Sequence, residues 1–212
     1  MVAHHLKPQP LALLSITGIP TFRHRFYNSS TLVSSELLTK TQVEKCLSEP
    51  VSVGSKPASD PSVFYLESLT KCGAKKANYE RPKSVSEPPS AGDGITRGGL
   101  YEYFVHENAY PPMLDSLDPG YEWAIADPEC TKLADWPTTI FIHGDSDPAV
   151  DIDVAIQAAT SLGPKKASLF VAKGQAHLFE ATCFLEDEGV GMDAVRHAVK
   201  ALDGALLRAR LE

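Results

Sequence analysis

The stretch from Trp136 to the C-terminus most constrains the fold, because two element types alternate along it at regular lengths. Thr138-Thr139-Ile140-Phe141-Ile142-His143 is rich in β-branched and aromatic residues and reads as a strand. Asp151 or Asp153 can cap a helix running to Leu162, with Ala155, Ala158, Ala159 and Leu162 on one face. Gly163-Pro164 stops that helix. Ala167-Ser168-Leu169-Phe170-Val171-Ala172 reads as a second strand. A final helix is predicted over about residues 193–210, with Val195, Val199, Leu202 and Leu206 in a stripe. Strand, helix, strand, helix at these lengths means β-α-β units and a parallel sheet with flanking helices. The expected class is α/β.

An earlier apolar run, Leu11 to Ile19, is bounded by Pro8, Pro10 and Pro20. It is continuous rather than alternating, which suits a strand buried on both faces of a parallel sheet. A short buried helix is the competing reading; Gly18 and the prolines favour the strand. Residues 20 to about 115 have a different character, with recurring prolines and glycines. The part from Glu80 to Gly99 has almost no large apolar residues and reads as a loop. Two short helices are predicted there. One covers residues 41–47. The other covers residues 99–106, with Leu100, Tyr103 and Phe104 on one face. The expected organisation is one core, formed by residues 1–19 and 116–212. Residues 20–115 are a partly irregular, cap- or lid-like insertion carrying aromatic side chains.

Composition narrows the partners. With 212 residues and 43% hydrophobic side chains, one ordinary core is expected. A net charge of −7 disfavours an electrostatic nucleic-acid binder and an anionic membrane surface. No apolar run approaches the length of a membrane span. The N-terminal residues Met1 to Lys7 lack an apolar signal region, so a cytoplasmic location is expected. Cys46, Cys72, Cys130 and Cys183 are scattered, without C-x-x-C or zinc spacing, and reduced thiols are expected. No cofactor is expected. Asn28-Ser29-Ser30 is a glycosylation sequon, expected to be unused without a secretory signal.

The residues that carry chemistry follow the two strands. Asp147 lies just past His143-Gly144, and His177 comes three residues after Gly174. The carboxyl edge of a parallel sheet is where open α/β folds build their sites. Adjacent strands would bring Asp147 and His177 together, the carboxylate accepting from the imidazole Nδ1–H. Such a bond fixes the tautomer and stabilises the imidazolium formed on proton transfer.

The motif H-G-x-x-D-x-x-V is matched by His143, Gly144, Asp147 and Val150, and G-x-x-H-x-F by Gly174, His177 and Phe179. Together they resemble the C-terminal half of α/β-hydrolases, nearest the esterase, acylpeptidase and prolyl-oligopeptidase-like branches. The close match covers about residues 138–179; before it the likeness is one of order and position only. The resemblance implies an incomplete α/β-hydrolase fold with a long cap insertion. It implies acyl transfer to water on an ester, thioester or amide, with Asp147 as the triad acid and His177 as the general base. It also implies a small-molecule acyl or ester substrate. In the family, a nucleophile elbow precedes the strand that Leu11 to Ile19 resembles. No G-x-S-x-G occurs in these 212 residues. The sequence is therefore expected to supply the acid and base of a serine hydrolase without its nucleophile, and to be inactive alone. A strand-supplying protein partner, or self-association, is expected at the Leu11 strand. A non-hydrolytic relative is the other reading: a scaffold or binding protein, or a biosynthetic enzyme using His177 as acid/base.

Three further patterns are weaker. Asp145 also lies in the turn, but the family pattern selects Asp147. His143, Asp145 and Asp147 spell H-x-D-x-D, which converges on a metal only in an extended segment, and a turn is expected here. Ser68-Leu69-Thr70-Lys71 satisfies S-x-x-K with no partner motif beside it.

Overall fold

The structure is a computed structural model, and it describes residues 8–30, 37–48, 99–117, 133, 135–183 and 185–211. The predicted loop before Gly99, Ser68, Lys71, Cys72 and Cys130 lie outside these residues.

The sheet has three parallel strands: β1 (Ala12–Ile16), β2 (Thr138–Gly144) and β3 (Ala167–Ala172), in the order β1-β2-β3. The register places Ile16 beside Ile142, and His143 beside Val171. Two helices cover its faces. They are α4 (Ile152–Leu162) and α5 (Met192–Ala209). Among the described residues, shorter helices before β2 include α1 (Lys40–Ser48), α2 (Leu100–His106) and α3 (Tyr110–Leu117).

Alternation along β2 divides the core. Phe141 packs with Trp136, Ala155, Ala158 and Leu162 on the α4 side. Ile140 and Ile142 pack with Met192, Val195, Ala198 and Ala205 on the α5 side. Both faces of β2 are therefore buried, as its apolar run requires. Truncating Ile140 or Ile142 to Ala would cost about 2–5 kcal/mol, because neighbours relax only partly around the void. The fold is thus α/β, with helices on both faces of a parallel sheet. Asp151 is the N-cap of α4, its side chain accepting from the Asp153 amide at 2.9 Å. The buried stripe of α5 runs through Met192, Val195, Ala198 and Ala205, while Val199 and Leu202 pack at its margin.

Two expectations need correction. β1 is shorter than the Leu11–Ile19 run, because Thr17 turns to a φ of 43° and ends the strand. It is also not buried on both faces: Leu14 and Ile16 are about two-fifths exposed, at 38% and 37%. β1 is an edge strand, with only β2 beside it among the described residues. In α2, the residues turned to the core are Tyr101 and Val105, not the expected Leu100, Tyr103 and Phe104 face. The reason is what lies opposite. Phe26, Tyr27, Val150 and Val154 form a third cluster into which Tyr101, Val105 and Tyr110 fit. That cluster ties residues 19–27 and α2 to the turn after β2.

Candidate active site

Asp147 stands in the turn between β2 and α4, with no solvent exposure of its side chain. Oδ1 accepts from the amides of Ala149 at 2.8 Å and Val150 at 3.0 Å. Oδ2 accepts from Nδ1 of His177 at 2.7 Å. His143 Nε2 lies 3.3 Å from the same oxygen. Burial by itself would raise the carboxyl pKa; the hydrogen bonds from His143, His177, Val150 and Ala149 outweigh it and hold it at about 2. Asp147 is therefore an anion at neutral pH.

His177 belongs to the loop after β3, and its side chain is 32% exposed. Two glycines put it there. Gly174 turns the chain with a φ of 69° directly after the strand. Gly144 lets the two loops close on each other: a Cβ there would stand 2.2 Å from the Gln175 carbonyl oxygen. Hydrogen bonds fasten the same contact, from Ser146 N to Gln175 O at 3.0 Å and from Gly174 N to Asp145 Oδ1 at 2.5 Å. Leu178, next to His177, has a φ of 55°. A non-glycine residue there costs roughly 1–2 kcal/mol, and such strain is held where the surroundings fix it. The Leu178 carbonyl accepts from Ala181 N at 3.0 Å and opens the 3₁₀ turn Phe179–Thr182.

The two residues singled out by their motifs, Asp147 and His177, are brought together at the carboxyl edge of adjacent strands. Asp145 is directed elsewhere, to Gly174. The H-x-D-x-D side chains thus do not converge on one point, and the segment after Gly144 is a turn.

Three neighbours of the pair were given no part in holding it by the sequence. His143 is 1% exposed and its Nε2 lies 2.9 Å from the Val150 carbonyl oxygen. It was visible inside the H-G-x-x-D motif, but a strand residue gives no sign of which group it faces. Tyr101 donates its hydroxyl to the Ala149 carbonyl at 2.7 Å, across 48 positions of sequence. Glu180 lies three residues after His177 in the 3₁₀ turn, and burial raises its carboxyl pKa. Its Oε2 is buried without a hydrogen-bond partner among the described residues. A separate cavity of about 530 Å³ opens at the amino edge of the sheet, beside Gln9, Trp136, Lys165 and Arg208, away from the Asp147–His177 pair.

Chemically the pair can hold and move one proton. With Nδ1–H committed to Asp147, the neutral imidazole carries its lone pair on Nε2. Nε2 has no hydrogen bond among the described residues. Comparison with protein-family models, curated proteins and solved structures finds no match to this chain.

Proposed function

We propose that Asp147 and His177 are the acid and base of a serine-hydrolase type of site, in an α/β-hydrolase-like fold, acting on ester or acyl bonds. The observation that supports this best is the 2.7 Å contact between Nδ1 of a part-exposed imidazole and a fully buried, ionised carboxylate. In this reading Nε2 of His177 takes the proton from a nucleophilic hydroxyl and returns it to the leaving group. Asp147 holds the tautomer and balances the imidazolium charge. The aromatic cluster of Tyr27, Tyr101 and Tyr110 is the wall of a cap beside the site. The nucleophile belongs to a segment outside these residues, and the outer edge of β1 is where a strand supplied by a partner or a second copy would join.

One observation favours a second reading. The 212 residues contain no G-x-S-x-G, so His177 could act as a simple acid/base in a non-hydrolytic protein. The coding DNA just ahead of Met1 distinguishes the two. An in-frame G-x-S-x-G, with serine-directed phosphonate labelling of the longer product that is lost on His177→Ala, supports the hydrolase. The 212-residue chain itself should show no acyl-enzyme burst with activated esters. A longer reading frame with no elbow, and no ester hydrolysis dependent on His177, would refute the hydrolase reading.

A further inference from the structure

We infer that His143 is a positioning residue for the Asp147–His177 pair: its Nε2–H fixes the acid turn from inside the sheet. The inference rests on the reading of His177 as a proton acceptor.

The geometry begins with a carbonyl. Nε2 of His143 lies 2.9 Å from the Val150 oxygen. A carbonyl can only accept, so Nε2 carries a hydrogen. The same nitrogen is 3.3 Å from Asp147 Oδ2, so that hydrogen is shared between the carbonyl and the carboxylate. Val150 is also a donor, its amide reaching Asp147 Oδ1 at 3.0 Å. One residue of the turn is therefore held at both ends, its amide by Asp147 and its carbonyl by His143. Ala149 repeats the arrangement, with its amide on Asp147 and its carbonyl on Tyr101.

His143 is suited to anchor this network because the sheet and its burial hold it in place. It lies within β2, paired with Val171, and is 1% exposed. The charged and titratable groups that face it are Asp147 and Asp151 from the turn, Glu180 from beyond His177, and His177 across Asp147. Burial opposes charge on His143; the bonds to Asp147 and Val150 and the nearby carboxylates favour it and prevail. In either charge state Nε2 keeps its hydrogen, so the anchor persists.

Removing the donor frees the Val150 carbonyl and one side of Oδ2. The carboxylate can then swing away from Nδ1 of His177. An Nδ1–H that loses its acceptor is no longer protected from exchange with solvent. Gln at position 143 carries an amide N–H that can stand in for Nε2–H; Leu carries none.

The experiment is histidine-selective ¹⁵N NMR on the intact chain, titrated with pH, for the wild type, His143→Gln and His143→Leu. The wild type should show a protonated Nε2 on His143 throughout the folded range. The hydrogen-bonded Nδ1 proton of His177, seen on Asp147 at 2.7 Å, should be retained in the wild type and in His143→Gln, and lost to exchange in His143→Leu. A bare Nε2 on His143 overturns the proposal without any variant. So does a folded His143→Gln that loses the His177 Nδ1 proton, or a folded His143→Leu that keeps it. Should His143→Leu fail to fold, the wild-type tautomer and His143→Gln still decide. If the Nδ1 proton behaves as expected while no His177-dependent ester hydrolysis is found, the anchor stands and the hydrolase reading falls.

Discussion

Nδ1 of His177 lies 2.7 Å from Oδ2 of Asp147, a carboxylate that no solvent reaches. The two residues are thirty positions apart in sequence and adjacent in space, because β2 and β3 run parallel and release both loops at the same edge. Burying a charge is costly unless it is hydrogen-bonded. Asp147 meets that condition with four donors. The site is therefore also a stability element, and its pH behaviour has a definite sign.

The Asp147 pKa is held at about 2, against an ordinary 3.8. A folded pKa below the unfolded one adds stability above the unfolded value, and that stability is lost as pH falls through the folded one. The contribution is roughly 2 kcal/mol at neutral pH. It should disappear between about pH 4 and pH 2. Urea unfolding of the wild type across that window should show the loss. Asp147→Asn should be less stable at neutral pH, and its remaining pH dependence there should be shallower. A parallel decline in both proteins would show that the carboxylate contributes nothing special.

Gly144→Ala tests how the loops meet. The added Cβ would stand 2.2 Å from the Gln175 carbonyl oxygen, which is backbone and cannot rotate aside. The loop carrying His177 must shift. The expected outcome is a stability loss of about 1–3 kcal/mol together with loss of the His177–Asp147 hydrogen bond. Chemical denaturation and the exchange-protected Nδ1 proton of His177 report the two effects. A variant as stable as the wild type with that proton intact would contradict the packing described here.

The elements around this site differ in how legible they were, for physical reasons. β2 could be read because both of its faces are buried, so its apolar run is unbroken. α4 carried its own start and stop, the Asp151 cap and Gly163 with a φ of 74°. Asp147 and His177 could be read because motif spacing and strand order point to one edge. β1 misled in its length and in the burial of its faces, since an apolar run does not show what covers each face, whereas its open edge was expected. α3 was missed. Pro111 and Pro112 follow Tyr110 at its first turn, where missing N–H groups cost nothing, yet prolines in sequence read as turn formers. Tyr101 acts across 48 positions and His143 across seven, each on a carbonyl group that leaves no mark in side-chain pattern.

Tyr101 links α2 to the acid turn, and its titration should be measurable. Burial raises its pKa; the Tyr27 hydroxyl opposes this, and the charges of Tyr110, Asp147 and Glu102 add to it, bringing it from 10.0 to about 12. A folded pKa above the unfolded one adds stability below the unfolded value, lost as pH rises through the folded one. Alkaline destabilisation should therefore set in above about pH 10 and continue towards pH 12. Tyr101→Phe should reduce that alkaline loss, leaving the part due to Tyr110, whose pKa burial also raises. At neutral pH it should cost about 1 kcal/mol, the net value of the bond to the Ala149 carbonyl. Ultraviolet difference titration and unfolding at several alkaline pH values check both statements. A Tyr101 that ionises at the ordinary value would mean that α2 does not seal against the turn.

The outer edge of β1 sets the behaviour of the isolated chain. β1 pairs with β2 on one side, and no strand pairs with its other side among the described residues. An open edge presents N–H and C=O groups that can pair with another chain. Leu11, Leu14 and Ile16 lie exposed along the strand. No lysine, proline or charge interrupts Ala12 to Ile16 to discourage such pairing. Each of these side chains is about half-buried already, so covering the rest contributes roughly 1 kcal/mol apiece, and two or three together favour association. Light scattering after size exclusion, over a concentration series, should show species larger than the 22.9 kDa monomer. Leu14→Lys, which puts a charge at a position already part-exposed, should shift the distribution towards monomer while leaving the His177–Asp147 hydrogen bond in place. A wild-type chain that stays monodisperse at every concentration, with a cooperative thermal transition, would mean that this edge is covered and that no strand needs to be supplied from elsewhere.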